Sequence, residues 1–187
     1  MCIAALTLCI AFFGGGLTEL AGKRDAVDRS WQSVAAVYQQ RAAVVPQYMQ
    51  KVSALVTVAE LPRVQAVASA LTAVHQLQVD PRGSEEAWQQ YQDAQEALTG
   101  ALAMLDVVQH NNPRLKADER ASELAEQLES LEDRINSARR SYNVASHEFN
   151  LSKRSLAVAA VNAVVLHLPP CLPLGTCNSS RVAVAAS

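Results

Sequence analysis

The side chains able to do chemistry are few, and their spacing does not assemble a site. Helical di-metal sites need inward Glu residues and Glu-x-x-His pairs. Here the residues three before His75, His110, His147 and His167 are Thr72, Val107, Val144 and Val164, and no two histidines lie four apart. Cys171 and Cys177 are six apart, which matches no zinc-ligand spacing, so both read as surface thiols. The chain has no Gly-x-x-x-x-Gly-Lys, Gly-x-Gly-x-x-Gly or Gly-x-Ser-x-Gly string, so phosphate cradles and nucleophile elbows are unsupported. His147 and Glu148 are an acid/base pair by type, but neighbours on a helix point about 100° apart. Arg139-Arg140-Ser141-Tyr142-Asn143 mixes charge with an aromatic ring, and it reads as a seam tyrosine with the arginines on flanking faces. The expectation is a protein without catalysis, cofactor or metal.

The elements that would position these residues emerge from composition. The chain has 187 residues, 16 Lys+Arg against 18 Asp+Glu, and is 50% hydrophobic. Nucleic-acid binding needs clustered positive charge, and this balance lacks it. The low overall charge is a mixture. Residues 1–18 carry no charge and residues 155–187 carry only Arg181, so a normally charged middle lies between two apolar ends.

Met1–Leu17 is apolar except for Thr7 and sits at the lower limit of about 17 residues for a membrane span. It reads first as an uncleaved anchor. A signal peptide is the alternative, with Gly14-Gly15-Gly16 as a small-residue cleavage region, although no Lys or Arg precedes Lys23. A buried core helix is the third reading. Lys23, Arg24 and Arg29 lie just beyond the run, so the positive-inside rule weakly favours a cytoplasmic location for the rest of the chain. At the other end, Leu156–Leu168 is too short to span and stops at Pro169-Pro170. It reads as the buried end of a helix, with a disordered tail after it.

Between Arg63 and Leu168 there are two prolines, Pro81 and Pro113, and two glycines, Gly83 and Gly100, in a background of good helix formers. Ala121, Leu124, Leu128, Leu131, Ile135, Ala138, Tyr142, Ala145 and Phe149 make an unbroken 3-4 heptad seam. Ser84 is placed to cap a helix whose stripe is Trp88, Tyr91, Leu98, Leu102, Leu105 and Val108. Leu20, Val27, Trp31, Val34 and Tyr38 share one face of a first helix, and Pro46 sits where a second would start. Pro62 should kink that second helix near Leu61. The expected helices are about 18–43, 46–78, 84–111 and 114–154, the last running on to about 168. The expected fold is all-α: an antiparallel up-down four-helix bundle over 19–154, an apolar anchor helix over 1–18, and an apolar end and tail over 155–187.

Three strings carry a resemblance. Trp31 is followed by Gln40-Arg41-Ala42-Ala43-Val44-Val45-Pro46, and later comes Asn112-Pro113-Arg114-Leu115-Lys116-Ala117-Asp118. The third is Leu128-Glu129-Ser130-Leu131-Glu132-Asp133-Arg134-Ile135, then Ala138-Arg139-Arg140-Ser141-Tyr142-Asn143 and a second aromatic-Asn at Phe149-Asn150. In order and spacing these resemble the LemA family over roughly residues 20–150. The resemblance implies an antiparallel four-helix bundle behind an N-terminal membrane anchor, in a bacterial protein of unsettled biochemical role. It supplies no catalytic residues. The matched positions Arg41, Pro46, Pro113, Lys116, Arg139, Tyr142 and Asn143 are expected to be structural or surface-defining. Three places depart from the pattern. The family's His-Glu pair is reduced to Glu60 before Leu61-Pro62, its C-terminal Phe-Pro segment is replaced from Leu151 onward, and its Tyr-Asn after the anchor is missing.

The expected function is a non-catalytic, single-pass, membrane-anchored interaction or scaffold module with an unidentified protein partner and no nucleic acid. The alternatives are a bundle released by signal-peptide cleavage and a small-molecule-binding bundle.

Overall fold

Runs of Ala, Leu, Gln and Glu with few Gly or Pro favour helix, and the computed structural model is helical throughout its regular elements. It describes residues 2–77, 83–154 and 171–174, with side chains from residue 18 onward. The helices are α1 (Cys2–Leu55), α2 (Leu61–Gln76), α3 (Glu85–Asn111), α4 (Pro113–Ala117) and α5 (Glu119–Ser152), and no strand occurs among the described residues.

The expected break at Pro46 does not occur. α1 continues through it to Leu55. A proline inside a helix removes one backbone bond and costs about 3 kcal/mol. Pro46 itself is exposed, while Val45, Tyr48 and Val52 around it are buried at 0%, 2% and 0% exposure. Buried aliphatic side chains stabilise by about 1.5–3 kcal/mol each, so packing outweighs the proline. Pro62 differs from expectation in the other direction. It lies in the first turn of α2 and begins that helix rather than bending one.

The boundary between α1 and α2 is the turn 56–60. Glu60 Oε2 accepts from the Thr57 main-chain N–H at 2.8 Å and from the Thr57 hydroxyl at 2.9 Å. Thr57-x-x-Glu60 is the sequence of a capping box, whose glutamate reaches back to satisfy an unpaired N–H at a helix start. The main-chain bond first, and then the hydroxyl's, hold the Glu60 carboxyl below its usual range. The start of α3 agrees with the sequence: the Ser84 hydroxyl accepts from Ala87 N–H at 3.1 Å, with Glu85 and Glu86 in the first turn. The expected helix from 114 is divided in two. α4 ends at Ala117, and Asp118 starts α5 by accepting from Ala121 N–H at 2.8 Å.

The described chain forms two compact units, Met1–Ala35 with Ser137–Leu174, and Ala36–Asn136. In the first, α1 and α5 run in opposite senses, since Lys23 pairs with Glu148 at 2.6 Å and Trp31 meets Tyr142 edge-on at 5.8 Å. Leu20, Val27, Val34 and Phe149 fill its core. In the second, Arg41 reaches Thr99 and Glu132, and further along α1 Tyr48 donates to Gln109 at 2.7 Å and Lys51 faces Asp118 at 3.7 Å, so α1 runs with α3 and against α5. α2 packs on α3, and its buried residues are Val64, Val67, Leu71 and Val74. The heptad seam of α5 is buried at every expected position except Ala145, where Ser146 is buried instead.

Among the described residues no helix is long and apolar enough to cross a membrane. Residues 2–17 continue α1 as helical backbone, and their side chains lie outside the described residues. The expected anchor therefore falls there. The expected extension of the last helix to about 168 and most of the expected tail also lie outside them.

Candidate functional site

The strongest polar construction belongs to the second unit and centres on Arg41. Its position on α1, between Tyr38 and Val45 on the buried face, drives a guanidinium into the interior at 0% exposure. A buried cation is costly unless paired and hydrogen-bonded. Nη1 donates to Thr99 Oγ1 at 2.6 Å and forms a short ion pair with Glu132. Nη2 donates to Gln95 Oε1 at 2.6 Å and makes a longer contact, 3.5 Å, to the Gln95 main-chain oxygen. The guanidinium carbon lies 5.3 Å from the centre of the Tyr38 ring, which itself meets Tyr91 edge-on at 5.9 Å. Nε alone makes no hydrogen bond. One side chain thus ties α1 to α3 and α5, using the planar fork that lysine lacks.

Arg41 is legible in the sequence; its partners are not. Gln95 and Thr99 are four apart on α3 and therefore share a face, and Gln95 is buried at 3% exposure. A glutamine and a threonine at that spacing beside the Leu98–Leu102 stripe are the available signal. Glu132 sits one position after seam residue Leu131, at the edge of the stripe.

Beside this knot is a half-open cleft of about 300 Å³ lined by Tyr48, Thr99, Asp106, His110, Glu129 and Glu132 with apolar neighbours. That volume is at the low end for small-ligand pockets. Burial raises the Tyr48 hydroxyl's pKa well above the ordinary tyrosine range, which keeps it a neutral donor to Gln109. His110 and Asp106 form an i, i+4 pair at 3.3 Å, with side chains 67% and 55% exposed. Exposure of this order leaves such a pair weak.

The remaining matched positions are scattered. Pro46 is exposed on α1, and Pro113 opens α4, where Asn112 caps the chain by accepting from Arg114 N–H at 3.0 Å. Lys116 is exposed, with its N–H donating to the Asn112 carbonyl at 3.1 Å. In the first unit Arg139 is buried at 6% exposure and Tyr142 at 1%. Asn143 has a different task. Its Nδ2 donates to the Leu174 carbonyl and its Oδ1 accepts from Leu174 N–H, both at 2.7 Å. Asn150 repeats this on Cys171, donating at 2.8 Å and accepting at 3.1 Å. Among the described residues no group of three His, Cys, Asp or Glu could hold a metal ion.

The buried Arg41 of the first string, the Asn112 cap of the second and the Tyr142-Asn143 pair of the third form an ordered set of structural positions. The LemA family pattern matches residues 30–168. The chain belongs to the LemA family. No curated protein matches it. Within this LemA-family chain, the structure brings Arg41 together with Gln95, Thr99 and Glu132, and brings Tyr142 against Trp31. It does not gather the seven matched positions into one site.

Proposed function

We propose that this LemA-family chain is a membrane-anchored, non-catalytic interaction or scaffold module built on an antiparallel up-down four-helix bundle. One observation carries the non-catalytic part: the buried guanidinium of Arg41 is committed to side chains of its own chain. A group held for substrate would have donors aimed into a cavity. In support of the bundle, α1 runs with α3 and against α5 in the contacts that Arg41, Tyr48 and Lys51 make within the second unit. α4 then serves as the turn between the third and fourth helices. Support for the anchor is the uncharged run Met1–Leu17 with Lys23, Arg24 and Arg29 after it, which also favours the bundle on the cytoplasmic side of the cell membrane.

Membrane fractionation with alkaline extraction tests the anchor: the chain stays in the membrane pellet with its N-terminus intact. A soluble chain with an uncleaved N-terminus contradicts it, and loss of the first ~16 residues by mass spectrometry favours the secreted alternative. Crosslinking in intact membranes tests the interaction role, and the expected result is a reproducible protein partner.

The cleft beside Arg41 favours a second reading, a small-molecule-binding bundle, because acidic, hydroxyl and aromatic side chains converge on one concave space. A ligand that raises the melting temperature, with the rise abolished by Asp106→Ala, would support that reading over the first.

A further inference from the structure

Asn143 and Asn150 are seven residues apart on α5, two helical turns, and so lie on one face about 10.5 Å apart along the axis. Each side-chain amide exchanges two hydrogen bonds with the N–H and C=O of a single residue, at 2.7–3.1 Å. This is the exchange that a strand residue makes with a directly opposed residue in an antiparallel ladder. The residues gripped, Cys171 and Leu174, are three apart in a non-helical run. Three residues of extended chain cover about 10 Å, so the helix's two-turn repeat and the peptide's three-residue repeat coincide. Asn143 takes the later residue and Asn150 the earlier, so the segment runs antiparallel to α5.

The recognition is of backbone, with one side-chain anchor. Leu174 is buried at 2% exposure, whereas Pro173 is exposed and Leu172 and Cys171 are half-covered. The gripped positions must have an N–H and so exclude proline, but the position before the anchor tolerates it. Proline there also holds the chain extended and lowers the entropy lost on docking. Flanking the two asparagines on α5, Val144 and Leu151 remain 60% and 49% exposed with the segment in place. The adjoining face of α5, about 100° round from the asparagines, therefore keeps apolar surface beside the clamp.

We propose that Asn143 and Asn150 form a peptide-binding site for an extended segment of the pattern Xaa-Leu-Pro-Leu, and that Cys171–Leu174 is its tethered occupant. The site takes the same kind of segment from another chain when its own is displaced. The mode is strand addition in which two asparagine amides replace the edge strand. It lies wholly in residues 137–174 and stands apart from the membrane-anchored reading, so its failure would leave that reading where fractionation puts it.

The test uses the full-length chain in detergent and a fluorescent peptide of residues 169–176 with serine in place of its cysteine. Wild type binds it weakly, because a tethered competitor is present at an effective concentration in the millimolar range. Leu174→Asp removes the anchor of the tethered segment and should tighten binding of the peptide by about tenfold or more. Adding N143A and N150A to that variant should weaken binding by about tenfold or more, since four hydrogen bonds are lost. Absence of saturable binding to the Leu174→Asp chain, or binding indifferent to the two asparagines, overturns the proposal. A second measurement does not depend on that variant folding. In wild type the amides of Cys171 and Leu174 exchange more slowly than in the free peptide, and in the N143A/N150A chain they exchange at the free-peptide rate. Free-peptide rates in wild type overturn the proposal as well.

Discussion

The two units use polar side chains in opposite ways. In the second unit Arg41 is wholly buried and bonded to side chains on α3 and α5. In the first, Asn143 and Asn150 are partly exposed and bonded to main-chain groups of a separate segment. A buried ion pair fixes which helices meet, and breaking it leaves an uncompensated charge. Amides that read backbone hold an extended chain through its main-chain N–H and C=O groups, and each bond contributes about 1 kcal/mol. The matched residues of one family pattern thus include both an internal fastener and an external grip.

The largest effect should come from Glu132→Ala. It leaves the Arg41 guanidinium buried without its anion, and urea unfolding should show a loss of about 3–5 kcal/mol. A loss below about 1 kcal/mol, the range of exposed pairs, would place Arg41 with the surface groups and erase the contrast. Next is Pro46→Ala, which restores a donor for the Ala42 carbonyl inside α1. Because packing already holds this stretch helical, the variant should be more stable, by about 1–3 kcal/mol. Destabilisation would mean that the proline is needed for the shape of α1.

A smaller effect separates core from clamp within the first unit. Ser146 is buried at 2% exposure and its hydroxyl makes no hydrogen bond to the protein. Ser146→Ala removes an unsatisfied group and should be neutral or stabilising by up to about 1 kcal/mol. A clear loss of stability would show that the hydroxyl has a partner, such as an ordered water.

The smallest effects are electrostatic, and they contrast the units again. Glu148 in the first unit is held below the usual carboxylate range by its hydrogen bond to Lys23 and then by that residue's charge. Glu60 in the second is held low first by the Thr57 N–H and then by the Thr57 hydroxyl. Both folded-state values lie below the unfolded ones, so each contribution is present above the ordinary carboxylate range and fades as pH falls through the folded value. Lys23 is raised by the same pair, and its share fades only as pH climbs through that raised value. Salt near 1 M shrinks the screening length to about 3 Å. Carboxyl NMR titration in high salt should therefore move Glu148 back toward its ordinary value and leave Glu60 in place. Equal movement of both would deny the difference in cause.

Much of the fold is legible because hydrophobic spacing encodes it directly. The α5 seam and the α3 stripe can be read residue by residue, and Ser84 reads as a cap. The α1 boundary escapes such a reading because proline is a local signal, while Val45, Tyr48 and Val52 act through distant packing. The Thr57-x-x-Glu60 turn is visible as a capping pattern but is overshadowed by Pro62. The site is less legible. Arg41 stands out as a charge in an apolar face, yet Gln95, Thr99 and Glu132 come from two other helices, and no spacing links them to residue 41. The clamp is half visible as two aromatic-Asn pairs seven apart. The residues they hold lie 21 and 31 positions further on, beyond the reach of any periodicity.

The matched arginine Arg41 serves the chain's own architecture through Glu132. A double-mutant cycle with Arg41→Met and Glu132→Met, read by urea unfolding of the full chain, tests it most directly. The double variant should recover much of the stability lost in the singles, with a coupling of about 2 kcal/mol or more. Singles that add within about 0.5 kcal/mol would contradict it.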